Sequence, residues 1–271
     1  MNLEPPEYIS ASQMSTLNRC QREWAIKYIL RLPEESSDAL AMGKSFHLLF
    51  EGASTEDVPL VGLNINEYPY RAALSVMHQS YIEVMSAYPP ESCPEIKIER
   101  PGYLGFIDAL VIYPDQTWWI LERKTAGLID EDKRFTLPAN TQISAYVSHR
   151  MEICDAVFAT YGTILDPDAC LGVLYVQTVK PTERLKKSET LDEFAARLTS
   201  RTLVWELSMS LLSRSAESFD IAFAQAAQTK QNILKEYEKS RDVRRIGGND
   251  AACKRFGKRC SYFATCYPNS L

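Results

Sequence analysis

The chain predicts an α/β fold built on a mixed sheet, and three observations carry that expectation. Apolar residues recur at helical spacing near both ends of the 271-residue chain. The middle instead carries short apolar runs bounded by proline and turn residues. One helical segment divides those runs into two sets, so the order is helices, strands, helix, strands, helices. That order suits one domain of sheet covered by helices.

The first segment, Ser12 to Arg31, opens with capping residues and carries Met14, Leu17, Trp24, Ile26 and Tyr28 at helical spacing. Pro33 and the polar run Glu34 to Asp38 break it. A second helix, about Ala39 to Gly52, presents Leu40, Gly43, His47 and Phe50 or Glu51 along one side. Residues 54–68 read as loop, and a third helix over Tyr70 to Tyr88 ends at Pro89-Pro90. Glu95 to Arg100 alternates polar and apolar, Leu104 to Tyr113 is apolar around one acid, and Trp118 to Lys124 follows a Pro114-Asp115 turn. These read as consecutive strands, two of them forming a hairpin. Pro138 opens a helix with Ile143, Tyr146 and Val147, and Val157 to Leu165 and Leu171 to Val179 read as two more strands. Leu191 to Leu198 looks helical, Leu203 to Leu212 fits either type, and Ala216 to Ser240 has a long helical period stopped by Gly247-Gly248-Asn249. There is no repeat, so a single domain over residues 1–271 is expected.

A composition of 45% hydrophobic and 24% charged residues is that of a soluble globular protein. No window approaches the run of about 20 apolar residues that spans a bilayer, and Met1 to Pro6 lacks the basic start and apolar stretch of a secretion signal. A cytoplasmic location, with no membrane partner, is the expectation. The net charge of −5 gives no global sign of nucleic-acid binding, which depends on local patches in any case.

Asp108 lies inside Gly105 to Val111, and Glu122 and Lys124 lie at the end of another apolar strand. Side chains alternate across a strand, so Glu122 and Lys124 share a face, about 6.6 Å apart along it. Two carboxylates beside a lysine at a sheet edge can hold a hard cation such as Mg²⁺ or Mn²⁺ and place a proton acceptor beside its water. Taken alone, Glu-x-Lys is more often just a solvated strand end. His47 follows Gly43 by four residues on one helical face, and Gln142 and Tyr146 are four apart on the helix after Lys124. Singly, these read as a core histidine and as helix-surface residues.

Together, Gly43-x-x-x-His47, Ile107-Asp108, Glu122-Arg123-Lys124 and Gln142-x-x-x-Tyr146 resemble the RecB-type branch of the PD-(D/E)XK nuclease superfamily. Ser10 to Met14 and Cys20 to Trp24 look like the opening helix of that branch; isoleucine stands where the motif has proline. The resemblance implies a restriction-endonuclease-like core, about residues 39–180, with a central mixed sheet flanked by helices. It implies hydrolysis of DNA phosphodiesters, with His47, Asp108, Glu122 and the Arg123 carbonyl holding Mg²⁺ or Mn²⁺. Lys124 would orient or deprotonate the attacking water, and Gln142 and Tyr146 would steady the lysine or the DNA strand.

Of seven cysteines, Cys253, Cys260 and Cys266 fall within one short stretch. In a reducing compartment such a group reads as metal ligands before crosslinks. Cys20 is the candidate fourth ligand. One remote cysteine with three near the C-terminus is similar to iron–sulfur RecB-type nucleases, such as helicase–nuclease subunits and CRISPR-adaptation nucleases. The resemblance implies a [4Fe–4S] clasp joining helical N- and C-terminal parts. Structural Zn²⁺ is the rival, although zinc cysteines usually pair as C-x₂₋₄-C. Cys93, Cys154 and Cys170 read as core residues. Lys254, Arg255, Lys258 and Arg259 either meet phosphates or form a solvated loop, and Lys180 to Lys187 reads first as solvated loop and second as a flank of the same groove.

The expected partner is DNA, as duplex ends or a single strand, with a single-strand annealing protein or a helicase as further partners in a bacterial or phage-infected cell. The implied activity is that of an exonuclease in recombination, repair or phage DNA metabolism. A catalytically silent iron–sulfur recruiting subunit and an iron–sulfur redox protein are the alternatives.

Overall fold

The computed structural model describes residues 6–34, 38–58, 67–128, 136–137, 140–200, 204–210, 213–255 and 258–268. Helices α1 (Ala11–Arg19) and α2 (Gln21–Tyr28) come first, then α3 (Asp38–Phe50) and α4 (Glu67–Met85). The strands β1 (Glu91–Ser92), β2 (Ile96–Arg100), β3 (Tyr103–Ile107), β4 (Ala109–Ile112) and β5 (Trp118–Ala126) follow. Helices α5 (Thr141–Ser148) and α6 (Arg150–Tyr161) lead to β6 (Cys170–Val179), α7 (Leu191–Thr199), β7 (Val204–Ser210) and α8 (Ser213–Ser240). A short hairpin of β8 (Lys254–Arg255) and β9 (Lys258–Arg259) precedes the single turn α9 (Phe263–Cys266).

The main sheet has the order β1-β4-β5-β6-β7. Only β5 and β6 run parallel, because α5 and α6 form the crossover a parallel pair needs; the other neighbours are antiparallel. The mixed sheet flanked by helices is therefore present, and the ambiguous stretch after Leu203 supplies its fifth strand.

Strand alternation sorts the interior into two cores. Leu110, Trp118, Ile120, Val173 and Tyr175 face α1, α2, α5, α6 and α8. Ala109, Val111, Leu121, Leu174 and Val176 face α3, α4 and α7. By the same parity Glu122 and Lys124 belong to the first face and Arg123 to the second.

The structure departs from expectation at three elements. The first helix is two, because Cys20 is extended (φ −160°, ψ 111°) and its sulfur accepts the Glu23 N–H that opens α2. The Leu104–Tyr113 run is also two strands: β3 pairs with β2, β4 pairs with β1 and β5, and Asp108 sits at the switch. Val157 to Leu165 is not a strand; α6 runs to Tyr161, burying Ile153, Cys154 and Val157, and Gly162 ends it at φ +69°. That left-handed turn is the usual glycine stop of a helix. Pro138 and part of the 54–68 loop lie outside the described residues. No described helix is long and apolar enough to cross a membrane.

Candidate active site

Sheet geometry brings Asp108, Glu122 and Lys124 together. Pairing of β4 with β5 stops at Ala109↔Leu121, so among the described residues no strand pairs with the β4 side of β5 from Glu122 onward. Asp108 fills that gap: its Oδ2 accepts the Arg123 N–H at 2.6 Å. The N–H and C=O of one residue in a strand point to the same edge, so the Arg123 carbonyl faces Asp108 as well.

Glu122 is 1% exposed. Burial, and secondarily the Asp108 charge, push its carboxyl up to about 7 against the opposing pull of Lys124. Its Oε1 forms an ion pair with the Lys124 ammonium. Burial pulls Lys124 down, but the Glu122 and Asp108 carboxylates outweigh it and hold the ammonium above its ordinary value. The Tyr146 hydroxyl lies 2.8 Å from Glu122 Oε2 and 2.9 Å from the Phe106 carbonyl, and accepts from Gln142 Nε2 at 2.6 Å. Its single proton serves one of the two acceptors at a time. Asn140 caps α5 by accepting from Gln142 N and Ile143 N, which aims Gln142 and Tyr146 at the strand end.

His47 reaches the site from α3, its Nδ1 3.7 Å from Asp108 Oδ1, beyond hydrogen-bond range. Burial, the first of several causes, lowers the imidazole, which favours the neutral form that ligates metals. Gly43 explains how α3 comes so near: a Cβ there would meet Thr125 Oγ1 at 2.8 Å.

Several contributors escaped the sequence reading. The Arg123 side chain is 4% exposed, donates to Glu91 Oε2 at 2.8 Å and to the Asp108 carbonyl at 2.9 Å, and lies 4.2 Å from the Phe50 ring centre. Tyr81 donates to the same Glu91 carboxylate at 2.6 Å. An arginine on the buried face of a strand signals such a partner, although not which acid supplies it. Lys44, which the sequence reading did not single out, lines a groove with Lys124 and Lys180, the groove-flanking place that was the second reading of the Lys180 run.

The donor set suits a hard cation: the Asp108 and Glu122 carboxylates, the Arg123 carbonyl and the His47 imidazole. Among the described residues, however, no three His, Cys, Asp or Glu side chains are gathered as a metal-holding group. Asp108 Oδ2 is taken by the Arg123 amide and Glu122 Oε1 faces Lys124.

The same holds for the cysteines, where a gathered ligand group was expected. Cys20, Cys253, Cys260 and Cys266 come to one corner: the Cys260 thiol senses those of Cys20 and Cys253, and Cys266 senses Cys260 and Cys20. Each takes a local partner instead of converging. Cys20 accepts from Glu23 N, Cys253 donates to the Asn249 carbonyl at 3.8 Å, and Cys266 bonds to the Arg22 side chain. Burial first, and the neighbouring thiols after it, raise Cys260 and Cys266. Side chains also tie this corner: Arg22 donates to the Ile246 and Arg244 carbonyls, both at 3.0 Å, and Asn249 to the Arg19 carbonyl at 2.8 Å. Cys93, Cys154 and Cys170 are buried.

The model of the PD-(D/E)XK nuclease superfamily matches residues 8–267. Among solved structures the chain is similar to a candidate exonuclease from Eubacterium rectale, at 14% identity and a TM-score of 0.49, over 98% of this chain and 89% of that one. It is also similar to a phage-related exonuclease from Haemophilus somnus 129PT, at 11% identity and a TM-score of 0.38, over 87% of this chain and 98% of that one. No curated protein matches it.

Proposed function

Because this chain belongs to the PD-(D/E)XK nuclease superfamily, we propose that it is a Mg²⁺- or Mn²⁺-dependent deoxyribonuclease of the RecB-type branch, acting as an exonuclease on DNA in recombination, repair or phage DNA metabolism. The observation that carries this reading is a buried Glu122 ion-paired with Lys124 at the open end of β5, where Asp108 accepts the Arg123 N–H. His47, Asp108, Glu122 and the Arg123 carbonyl would hold the cation. When bound, the cation supplies Lewis acidity and lowers the pKa of a water at the site.

The protein's own groups do the remainder. Lys124 orients the attacking water and offers positive charge to the phosphate as the P–O bond to the leaving oxygen breaks. Tyr146 holds Glu122 in place through Oε2, and Gln142 holds Tyr146. The chain forms a single nuclease unit, with the catalytic core in about residues 39–180. Cys20, Cys253, Cys260 and Cys266 hold a [4Fe–4S] cluster in this reading, with Zn²⁺ as the rival occupant. Its support is the shared corner, where Cys260 lies near Cys20 and Cys253, and Cys266 near Cys260 and Cys20.

Covalently closed circular DNA separates the exonuclease from an endonuclease. With Mg²⁺ or Mn²⁺ we expect linear DNA to be degraded and closed circles to stay intact. Nicking or linearisation of the circles would overturn the exonuclease assignment.

A further inference from the structure

Two grooves meet at Lys124. One, of about 570 Å³, lies between α3 and the ends of β5 and β6, and Lys44, Lys124 and Lys180 line it against one carboxylate, Glu51. The other, also about 570 Å³, is bounded by the N-terminal segment, β3 and α5, with Ser10, Ser12, Phe106 and Gln142 in its wall. Lys124 belongs to both, so a chain crossing it leaves one groove as it enters the other. The first groove offers positive charge, which suits phosphates. The second offers hydroxyls, amides and aromatic rings, with Glu7 as its one carboxylate.

Phe106 is the unusual feature of that second wall. Alternation along β3 turns Gly105 and Ile107 inward and leaves Phe106 56% exposed. A lone exposed phenylalanine is ordinary on a protein surface, but this one adjoins the catalytic lysine. It stands opposite Lys97 in the β2–β3 register. Its carbonyl is within 2.9 Å of the Tyr146 hydroxyl, the same group that meets Glu122. The Phe106 backbone, from which the ring projects, is therefore tied through Tyr146 to the catalytic carboxylate.

Resting on the nuclease reading, we propose that the two grooves form one track for a nucleic-acid strand, with its phosphates in the lysine groove and an unpaired base beside the scissile phosphate stacked on Phe106. A base inside a duplex has both faces covered, so only an unpaired one can use the ring. Stacking on an aromatic side chain tolerates any sequence. A platform fixed to Tyr146 sets how far the strand advances past Lys124, and so which phosphodiester is cut.

The test uses single-stranded oligonucleotides carrying 2-aminopurine at successive positions from one end. In a Lys124→Ala background, binding is expected to quench one position strongly; Phe106→Ala abolishes that quench and Phe106→Trp keeps it. In the active protein, Phe106→Ala is expected to raise KM about tenfold or more, in line with the loss of one stacked base. It leaves kcat within a few-fold and blurs the product ends, and Phe106→Trp restores them. Lys44→Ala is expected to flatten the dependence of log affinity on log salt by about one contact. Cleavage by the wild type with Phe106 variants indistinguishable from it overturns the track but not the nuclease. A position-specific quench lost in Phe106→Ala, with no cleavage by the wild type, supports the track and overturns the nuclease. Absence of both binding and cleavage overturns both.

Discussion

Arg123 shows how a single residue ties the edge and the buried face of β5 to their neighbours. Its amide holds the Asp108 carboxylate while its guanidinium, on the buried face, holds the Asp108 carbonyl and Glu91. A guanidinium cannot give up its charge when buried, so its partners must travel with it. We expect Arg123→Met to destabilise the fold by about 3 kcal/mol, because Glu91 is left without its cation. Adding Glu91→Met should return part of that loss, since two apolar groups replace the pair. Urea unfolding of both variants checks this; a double variant less stable than Arg123→Met alone would refute it. At this scale the sequence was informative wherever strand parity suffices. Glu122 and Lys124 share a face by period two, and Tyr146 lies one helical turn from Gln142. The Glu91 contact was not legible, because it depends on β1 pairing with β4, and a two-residue strand leaves almost no pattern.

Among the elements, the decisive contact is α3 against the end of β5. Gly43 permits it, since any Cβ there lies 2.8 Å from Thr125 Oγ1, and His47 rides one turn further along the same helix. Gly43→Ala should push α3 outward, move His47, and lower activity about ten- to a hundredfold through misplacement rather than lost chemistry. Removing the obstructing oxygen with Thr125→Ala in the same chain should recover most of the activity. Simple additivity of the two losses would show that the contact does not position His47. The glycine was visible in the sequence beside His47; the partner it makes room for was not, because helix and strand are far apart in the chain. The misreading of α6 has another cause. Val157, Phe158 and Thr160 are residues that strands favour, and only the buried set Ile153, Cys154 and Val157 reveals the helical period. Asp108 was legible as an acid in an apolar run, but not as the point where one strand leaves for a second sheet.

Across the whole molecule, two cores clamp one sheet, and the N-terminal helices meet the C-terminal segment through Arg22 and Asn249. Helix–strand order was enough to anticipate the layered mixed sheet. The cysteine spacing grouped Cys253, Cys260 and Cys266, and Cys20 came from the resemblance; the thiols lie near one another but not as a gathered ligand set. If they hold a cluster, protein purified without oxygen should carry about four iron and four sulfide per chain. Cys260→Ser should then lose the iron and melt at a lower temperature, since ligand binding contributes to folding. Zinc in place of iron would assign the rival occupant. The central claim concerns the open end of β5, and cleavage of end-labelled DNA tests it most directly. The protein, purified without oxygen, is incubated with Mg²⁺ or Mn²⁺ beside its Lys124→Ala variant. We expect cation-dependent release of label that the variant lacks. Intact DNA with every cation and end structure, from folded wild-type protein, would contradict the account.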